Sequence, residues 1–347
     1  MIGLPGSGKS TCFRAVTGKD QQSHGGDDLA VVQVPDERLE PIAEVFDSAK
    51  ATPPEITFVD LMAVTEDEDV EGRLSRLKSI VGDADAFVLV IQAFGELDYT
   101  GEPLDPRSDL ETLMLQLALT DLEVVENRLK RIHSDATAKK DRSPYEIELL
   151  ERCREHLADG GLMLHLGLSE EDEKFLRGFN LLTSRPMLVV FNVAEDDSLG
   201  ERAAEAMQYA EELDLPHLLF SGELEEEIAQ LPPEDQQEFL ADFGLEQAAR
   251  DRFIKAAYEL LNVITFFTAS EKETRGWTIP QGANAQEAAA KIHTDMGEHF
   301  IRAEVIPAEA LIQRGSVAAC REHGEWSLQG ADYIVEDGDI LQIRFSH

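Results

Sequence analysis

The chain has 347 residues, and its 69 acidic against 31 basic side chains give a formal net charge of −38. Length over about 150 suggests two or three domains. A 43% hydrophobic fraction excludes wholesale disorder, and the charge excludes a protein that wraps nucleic acid with its whole surface.

No run of 18 apolar residues is present, so a transmembrane helix is excluded and no membrane partner is expected. The N-terminal stretch MIGLPGSGKSTCF lacks the apolar region and cleavage site of a secretory signal. Cys12, Cys153 and Cys320 stand far apart without a CxxC pair. That argues against a disulfide scaffold or zinc site and fits a reducing, cytoplasmic location. Such acidity also suits a saline cytoplasm.

The first pattern along the chain is Gly3–Ser10, GLPGSGKS, a full GxxxxGK[ST] match. Glycines let the backbone curl so that its N–H groups face a β-phosphate. Lys9 reaches the β- and γ-phosphates, and Ser10 ligates Mg2+. A helix opening near Ser10 aims its positive end at the same anion. Gly6, Ser7, Gly8, Lys9, Ser10 and Thr11 are the expected phosphate-binding residues. Only Met1 and Ile2 precede Gly3, where a strand normally stands, so that strand is either nearly absent or begins upstream.

Apolar runs at Val31–Val34, Ile56–Val59, Ala86–Ile91, Met187–Phe191 and His217–Phe220 suit strands buried on both faces. With helices between them, they predict an α/β domain with a mostly parallel sheet. Asp60 closes the second run, where a carboxylate is placed to hold magnesium through water. Lys9 and Asp60 are therefore the candidate catalytic pair, and Ser10 and Asp60 the candidate metal ligands.

The long connection after the third run is helical. Leu115, Leu119, Leu122, Val125 and Leu129 form an apolar stripe. Ser143, Pro144 and Glu146 spell a second helix start, which Gly160-Gly161 stops. Residues 109–182 thus read as a helical hairpin inserted into the α/β domain. Arg128, Lys130, Arg131, Lys139, Lys140 and Arg142 gather at its tip. They form a candidate RNA-phosphate contact, or else a solvated helix end.

Asn192-Val193-Ala194-Glu195 ends the fourth strand, where GTPases carry Asn-Lys-x-Asp. Val193 and Glu195 remove the guanine-selecting geometry, so ATP is expected rather than GTP. Ser221-Gly222, after the fifth strand, stands where a base-contacting loop belongs. Asp251–Leu261 predicts a further helix. Short strands at Thr265–Thr268, Trp277–Ile279, Phe300–Ile306 and Ile340–Phe345 surround a helix at Ala285–Ile292 and predict a small α+β domain. His293-Thr294-Asp295 and Asp337-Gly338-Asp339 read as structural turns.

Five segments carry a resemblance: GLPGSGKST (Gly3–Thr11), VPDERL (Val34–Leu39), FVD (Phe58–Asp60), NVAE (Asn192–Glu195), and Phe266–Ile306 continued by DYIVEDGDI (Asp332–Ile340). Through them the chain resembles the YchF or Obg-like ATPase family, over nearly its whole length and most specifically at its C-terminus. The resemblance implies a nucleotide domain at 1–262 with the inserted arm at about 109–182. A TGS domain of β-grasp fold is implied at 263–347. It also implies ATP with Mg2+, and a ribosome or ribosomal RNA partner met through the arm and the TGS domain.

The chain departs from the family pattern at Gly6-Ser7, at a shortened switch I (His24–Asp28), and at switch II. There it reads Asp60-Leu61-Met62-Ala63-Val64 before the acidic stretch Glu66–Glu71. Asp98 falls where the family carries a histidine. Two readings stay open here: a translation-associated ATPase, or a ribosome-associated adaptor that binds nucleotide with little turnover. Oligomeric state is not legible.

Overall fold

A computed structural model describes residues 1–18, 28–60, 84–134, 144–197, 200–232, 235–236 and 248–346. These residues divide into two compact units. The first holds Met1–Asp28 and Val59–Ala249, and the second holds Leu29–Phe58 and Arg250–His347.

The first unit is built on a parallel sheet. Strands β1 (Ile2–Gly3), β5 (Phe87–Ala93), β6 (Met187–Val193) and β7 (His217–Phe220) lie in that order. Every residue of β5 and β6 is buried, as the unbroken apolar runs require of a sheet covered on both faces. Among the described residues, this unit carries helices α1 (Lys9–Thr17), α3 (Pro106–Ser134), α4 (Pro144–Ala158), α5 (Glu170–Leu176), α6 (Ala204–Glu212) and α7 (Gly222–Gln230).

Leu89, Ile91, Val189 and Phe191 pack with Leu110, Leu113 and Leu117 of α3 and Ala206 and Ala210 of α6. The rest of α3 pairs with α4, where Val125 and Leu129 meet Leu149, Leu150, Cys153 and Leu157. That is the expected hairpin, but its apolar stripe needs correction. Leu115 and Leu119 are each 51% exposed. The buried face of α3 steps through Leu110, Leu113, Leu117, Asp121, Val125 and Leu129, so Val125 and Leu129 of the stripe hold while Leu115 and Leu119 do not.

Asp121 is the polar member of that face. It is 1% exposed and accepts the backbone N–H groups of Leu182 and Thr183, each at 2.7 Å, and the Thr183 hydroxyl at 2.6 Å. It thereby fixes the turn that leads into β6.

The second unit is a six-stranded sheet. Its strands are β3 (Ala51–Thr52), β8 (Val263–Ala269), β9 (Thr274–Pro280), β10 (Phe300–Pro307), β11 (Ser327–Gln329) and β12 (Asp339–Phe345), in the order β11-β10-β12-β8-β9-β3. β12 runs parallel to β8 between two antiparallel ladders, and α9 (Ala285–Ile292) covers one face, which is the β-grasp arrangement.

The other face carries Phe267, Ile306 and Ile340. These are covered by Leu39 and Ile42 of α2 (Leu39–Val45), Leu311 of α11 (Ala308–Arg314) and Cys320 of α12 (Val317–Glu322). Short α10 (Thr294–Glu298) begins at His293, whose ring nitrogen accepts the Asp295 N–H.

Residues 29–58 therefore group with the C-terminal residues. β3 adds a strand beside β9, and Arg38 binds both Asp36 (2.7 Å) and Asp337 (2.6 Å) over the ring of Phe267. β2 (Asp28–Gln33) pairs with β4 (Glu55–Asp60) in a separate two-stranded sheet rather than joining the parallel one. A two-stranded sheet buries one face only. Accordingly Ala30 and Val32 are buried while Leu29 and Val31 are more than half exposed. Helix α8 (Ala249–Leu260) starts where the Ala249 N–H donates to buried Glu225 of α7 at 2.7 Å.

Candidate nucleotide-binding site

The phosphate loop lies at the carboxyl ends of the parallel strands, where open α/β sheets hold their ligands. Gly3 leaves β1 where an added Cβ would sit 2.6 Å from Ser7 Oγ and 2.7 Å from the Val90 carbonyl. Gly6 (φ +80°) and Gly8 (φ +77°) take left-handed backbone that side chains disfavour. Gly8 caps α1 without any side-chain cap bond, and no acidic residue occupies the first turn. The first-turn amides of α1 thus lack intrahelical acceptors and face a position suited to an anion.

Lys9 is 5% exposed and ion-pairs with Asp60, itself 6% exposed at the end of β4. The Ser10 hydroxyl donates to the second Asp60 oxygen at 2.8 Å. A hydroxyl beside a carboxylate is a hard-oxygen donor set, which fits Mg2+ with water and phosphate oxygens completing the shell. Among the described residues, no group of three or more His, Cys, Asp or Glu side chains offers an alternative centre.

Asn192 joins two loops. Its side-chain N–H donates to the Ser7 carbonyl at 3.0 Å, and its oxygen accepts the Gly222 N–H at 3.0 Å. Both ends of the amide are thus held inside the protein, and Asn192 is 4% exposed. Gly222 is close-packed against Cys12 Sγ and Asn192, so the start of α7 lies directly against α1. Burial pushes the Cys12 thiol far above its ordinary pKa, which leaves it inert.

Arg14 of α1 donates to Glu226 of α7 at 2.8 Å and to Thr11 Oγ1 at 3.2 Å, and the Glu226 bond raises its pKa. Ser221 caps α7 without a side-chain bond, and its hydroxyl, like that of Ser7, is buried without a partner among the described residues. Val193 belongs to the sheet core, and Glu195 is exposed in the turn that follows β6.

Of the neighbouring loop after β5, the sequence reading marks only Asp98. Gln92 sits opposite Asn192 in the ladder and donates to the carbonyls of Phe94 and Leu97, each at 3.1 Å. Asp98 accepts the N–H and hydroxyl of Thr100 and the Glu102 N–H. The Thr100 bond leads the causes that hold its carboxyl below the ordinary range. So braced, the loop brings Tyr99 to the phosphate loop. A methyl group at Gly6 would lie 3.1 Å from Tyr99 Cβ, and one at Gly8 3.4 Å from the Phe94 ring. The available signal was a polar residue, Gln92, ending an apolar strand in the position that Asn192 holds in the next.

At the arm, Arg128 donates to Glu146 of the paired helix at 2.5 Å, and Lys130 pairs with Glu126 at 3.1 Å. Arg131 is exposed. Lys139, Lys140, Arg142 and the cap residue Ser143 lie outside the described residues, as do His24–Asp27 of switch I and Leu61–Glu71 of switch II.

Fold and site together define a P-loop α/β protein of the nucleotide-binding class. The C-terminal residues 263–346 match the family model YchF-GTPase_C, described as a protein of unknown function (DUF933). The chain is 34% identical over 359 residues to the ribosome-binding ATPase YchF of Bacillus subtilis (strain 168), covering 100% of this chain and 98% of that protein. It is 32% identical over 363 residues to the ribosome-binding ATPase YchF of Escherichia coli O157:H7, with the same coverage. The solved structure of the Schizosaccharomyces pombe YchF GTPase superposes with a TM-score of 0.86 at 25% identity, covering 99% of this chain and 96% of that one. The chain belongs to the YchF family.

Asn192 gives the first test. Asn192→Ala strands the Ser7 carbonyl and the Gly222 N–H, each costing about 1–3 kcal/mol when buried unpaired. The expected result is a lower melting temperature and at least a tenfold loss of ATP affinity, read by calorimetry. Unchanged affinity would show that the bridge does not shape the loop.

Proposed function

We propose that this protein is a cytoplasmic, Mg2+-dependent ATPase that acts as a ribosome-associated switch. The observation that carries the reading is the buried constellation of Lys9, Ser10 and Asp60 at the head of an uncapped helix. Names of relatives add the partner, since those proteins are called ribosome-binding ATPases.

In this reading the loop amides of Gly6, Ser7 and Gly8 bind the phosphates, and Lys9 leaves Asp60 to neutralise the terminal phosphoryl oxygens. Ser10 and Asp60 would hold Mg2+, which would supply charge neutralisation to the phosphates. Catalysis is electrostatic positioning for in-line attack by water. Asn192 keeps the loop registered against Gly222. No helix among the described residues is long and apolar enough to cross a membrane, which accords with this location.

Base choice follows from β6. Val193 is buried in the core, and no lysine stands there to lie along a guanine. Titration with ATP and GTP, with and without Mg2+, checks this. ATP is expected to bind more tightly, and removal of Mg2+ to weaken it. Tighter GTP binding would overturn the base assignment. Tight ATP binding without turnover would favour the adaptor reading.

A further inference from the structure

The loop after β5 presents an aromatic side chain beside the phosphate loop. Glu96–Leu104 folds as a small hairpin. The Asp98 N–H donates to the Glu102 carbonyl at 2.8 Å, and the Leu104 N–H to the Glu96 carbonyl at 2.9 Å. Leu97 and Pro103 bridge its two sides. Asp98 closes the tip from within through Thr100 and Glu102, and Gln92 ties the hairpin to β5 through the Phe94 and Leu97 carbonyls. Tyr99 at this tip is nevertheless 50% exposed. Among the described residues its hydroxyl meets no hydrogen-bond partner.

The tip stands at one end of the phosphate loop. A Cβ added at Gly6 would lie 3.1 Å from Tyr99 Cβ and 3.4 Å from Gln92 Oε1. One added at Gly8 would lie against Asn192 of β6 and the Phe94 ring instead. In the proposed reading the base lies on the β6 side. The phosphate chain then runs from Gly8 toward Gly6, and Tyr99 stands at its terminal end, where Lys9 also reaches.

The hairpin offers few groups that suit an anion. From Phe94 to Asp105 the sequence has no lysine, arginine or histidine, and it has four carboxylates, Glu96, Asp98, Glu102 and Asp105. A carboxylate repels a phosphate. The Thr100 hydroxyl already donates to Asp98 at 2.7 Å. The Tyr99 phenol is the remaining side-chain donor. A neutral O–H aimed at a phosphate oxygen makes a charge-assisted hydrogen bond.

We propose that Tyr99 is a γ-phosphate contact: its hydroxyl donates to a terminal phosphoryl oxygen and helps the site separate nucleoside triphosphate from diphosphate. The inference rests on the nucleotide-binding reading of this site and adds a residue that senses the terminal group. Because the hairpin is already braced, little backbone ordering accompanies the contact.

The test titrates the full chain with Mg2+ and either the non-hydrolysable β,γ-imido analogue of ATP or ADP, read by calorimetry. Tyr99→Phe keeps the ring and removes the hydroxyl alone. Its affinity for the triphosphate analogue is expected to fall about tenfold, the order of one charge-assisted hydrogen bond. Its ADP affinity and melting temperature should stay those of wild type. Tyr99→Ala should show the same fall in the ratio of triphosphate to diphosphate affinity.

An unchanged ratio in Tyr99→Phe would overturn the proposal. So would an equal loss for both nucleotides, which would place the side chain beside the base or the inner phosphates. If the ratio falls as expected but wild type releases no phosphate from ATP, the ATPase reading fails while the contact stands. If wild type binds neither nucleotide, the reading and the contact fall together.

Discussion

Replacing Lys9 with alanine is expected to bring phosphate release to background and to weaken the first unit even without nucleotide. The two effects have one cause. Lys9 and Asp60 are both nearly inaccessible, and Lys9 is the charge that compensates the Asp60 carboxylate. Without it, Asp60 keeps the Ser10 hydroxyl as donor but stays buried and uncompensated. Breaking one side of a buried ion pair costs about 3–5 kcal/mol. In a unit of this size that is a fall of roughly 6–20 °C in melting temperature. Loss of one preorganised cation at a developing phosphoryl charge costs on the order of 10²–10³ in rate.

A second substitution separates the effects. Lys9→Ala combined with Asp60→Asn removes the stranded charge and should recover most of the stability, while nucleotide turnover stays absent. Thermal melts and nucleotide titration of both variants check this. Recovery of turnover together with stability would mean that Lys9 serves the fold alone.

Asp121→Ala should be the most damaging single change away from the site. It would leave the Leu182 and Thr183 amides and the Thr183 hydroxyl without their acceptor. Leu182 and Thr183 are themselves buried, so water does not replace it. At about 1–3 kcal/mol for each of the three buried unpaired groups, the expected loss is roughly 3–9 kcal/mol in urea unfolding of the first unit. The turn that Asp121 holds feeds β6, and β6 carries Asn192, so ATP affinity should fall too. Asp121→Asn keeps one acceptor oxygen but turns an amide N–H toward a backbone donor, and it should fall between wild type and alanine. A loss below about 1 kcal/mol for alanine would mean that the turn re-forms its bonds elsewhere.

Much of this architecture was legible locally. His217–Phe220 and Ala285–Ile292 appear at the bounds their patterns mark, and the glycine loop with Asp60 was found from residue types and spacing alone. What escaped the reading depends on distance along the chain. β3 is two residues long, and its pairing with Thr274 and Arg275 leaves no periodic trace near Ala51. Arg38 and Asp337 each stand in a recognisable motif, yet their bond spans 299 positions.

Asn192 is read as a nucleotide-site residue from its place at a strand end, and the structure gives its amide to Ser7 and Gly222. Its partner Ser7 lies 185 positions away, so its bridging role was not visible. Leu115 and Leu119 misled because a three-and-four step fits two adjacent faces of one helix. Asp121, a carboxylate buried on the face that the structure selects, lies outside any apolar pattern.

Lys9, Ser10 and Asp60 are proposed to turn over ATP. Single-turnover phosphate release from ATP with Mg2+, compared between wild type and Lys9→Ala, tests it most directly. Release by wild type clearly above the Lys9→Ala background, and lost when Mg2+ is chelated, is the predicted result. ATP bound by wild type with release no faster than in Lys9→Ala would contradict it.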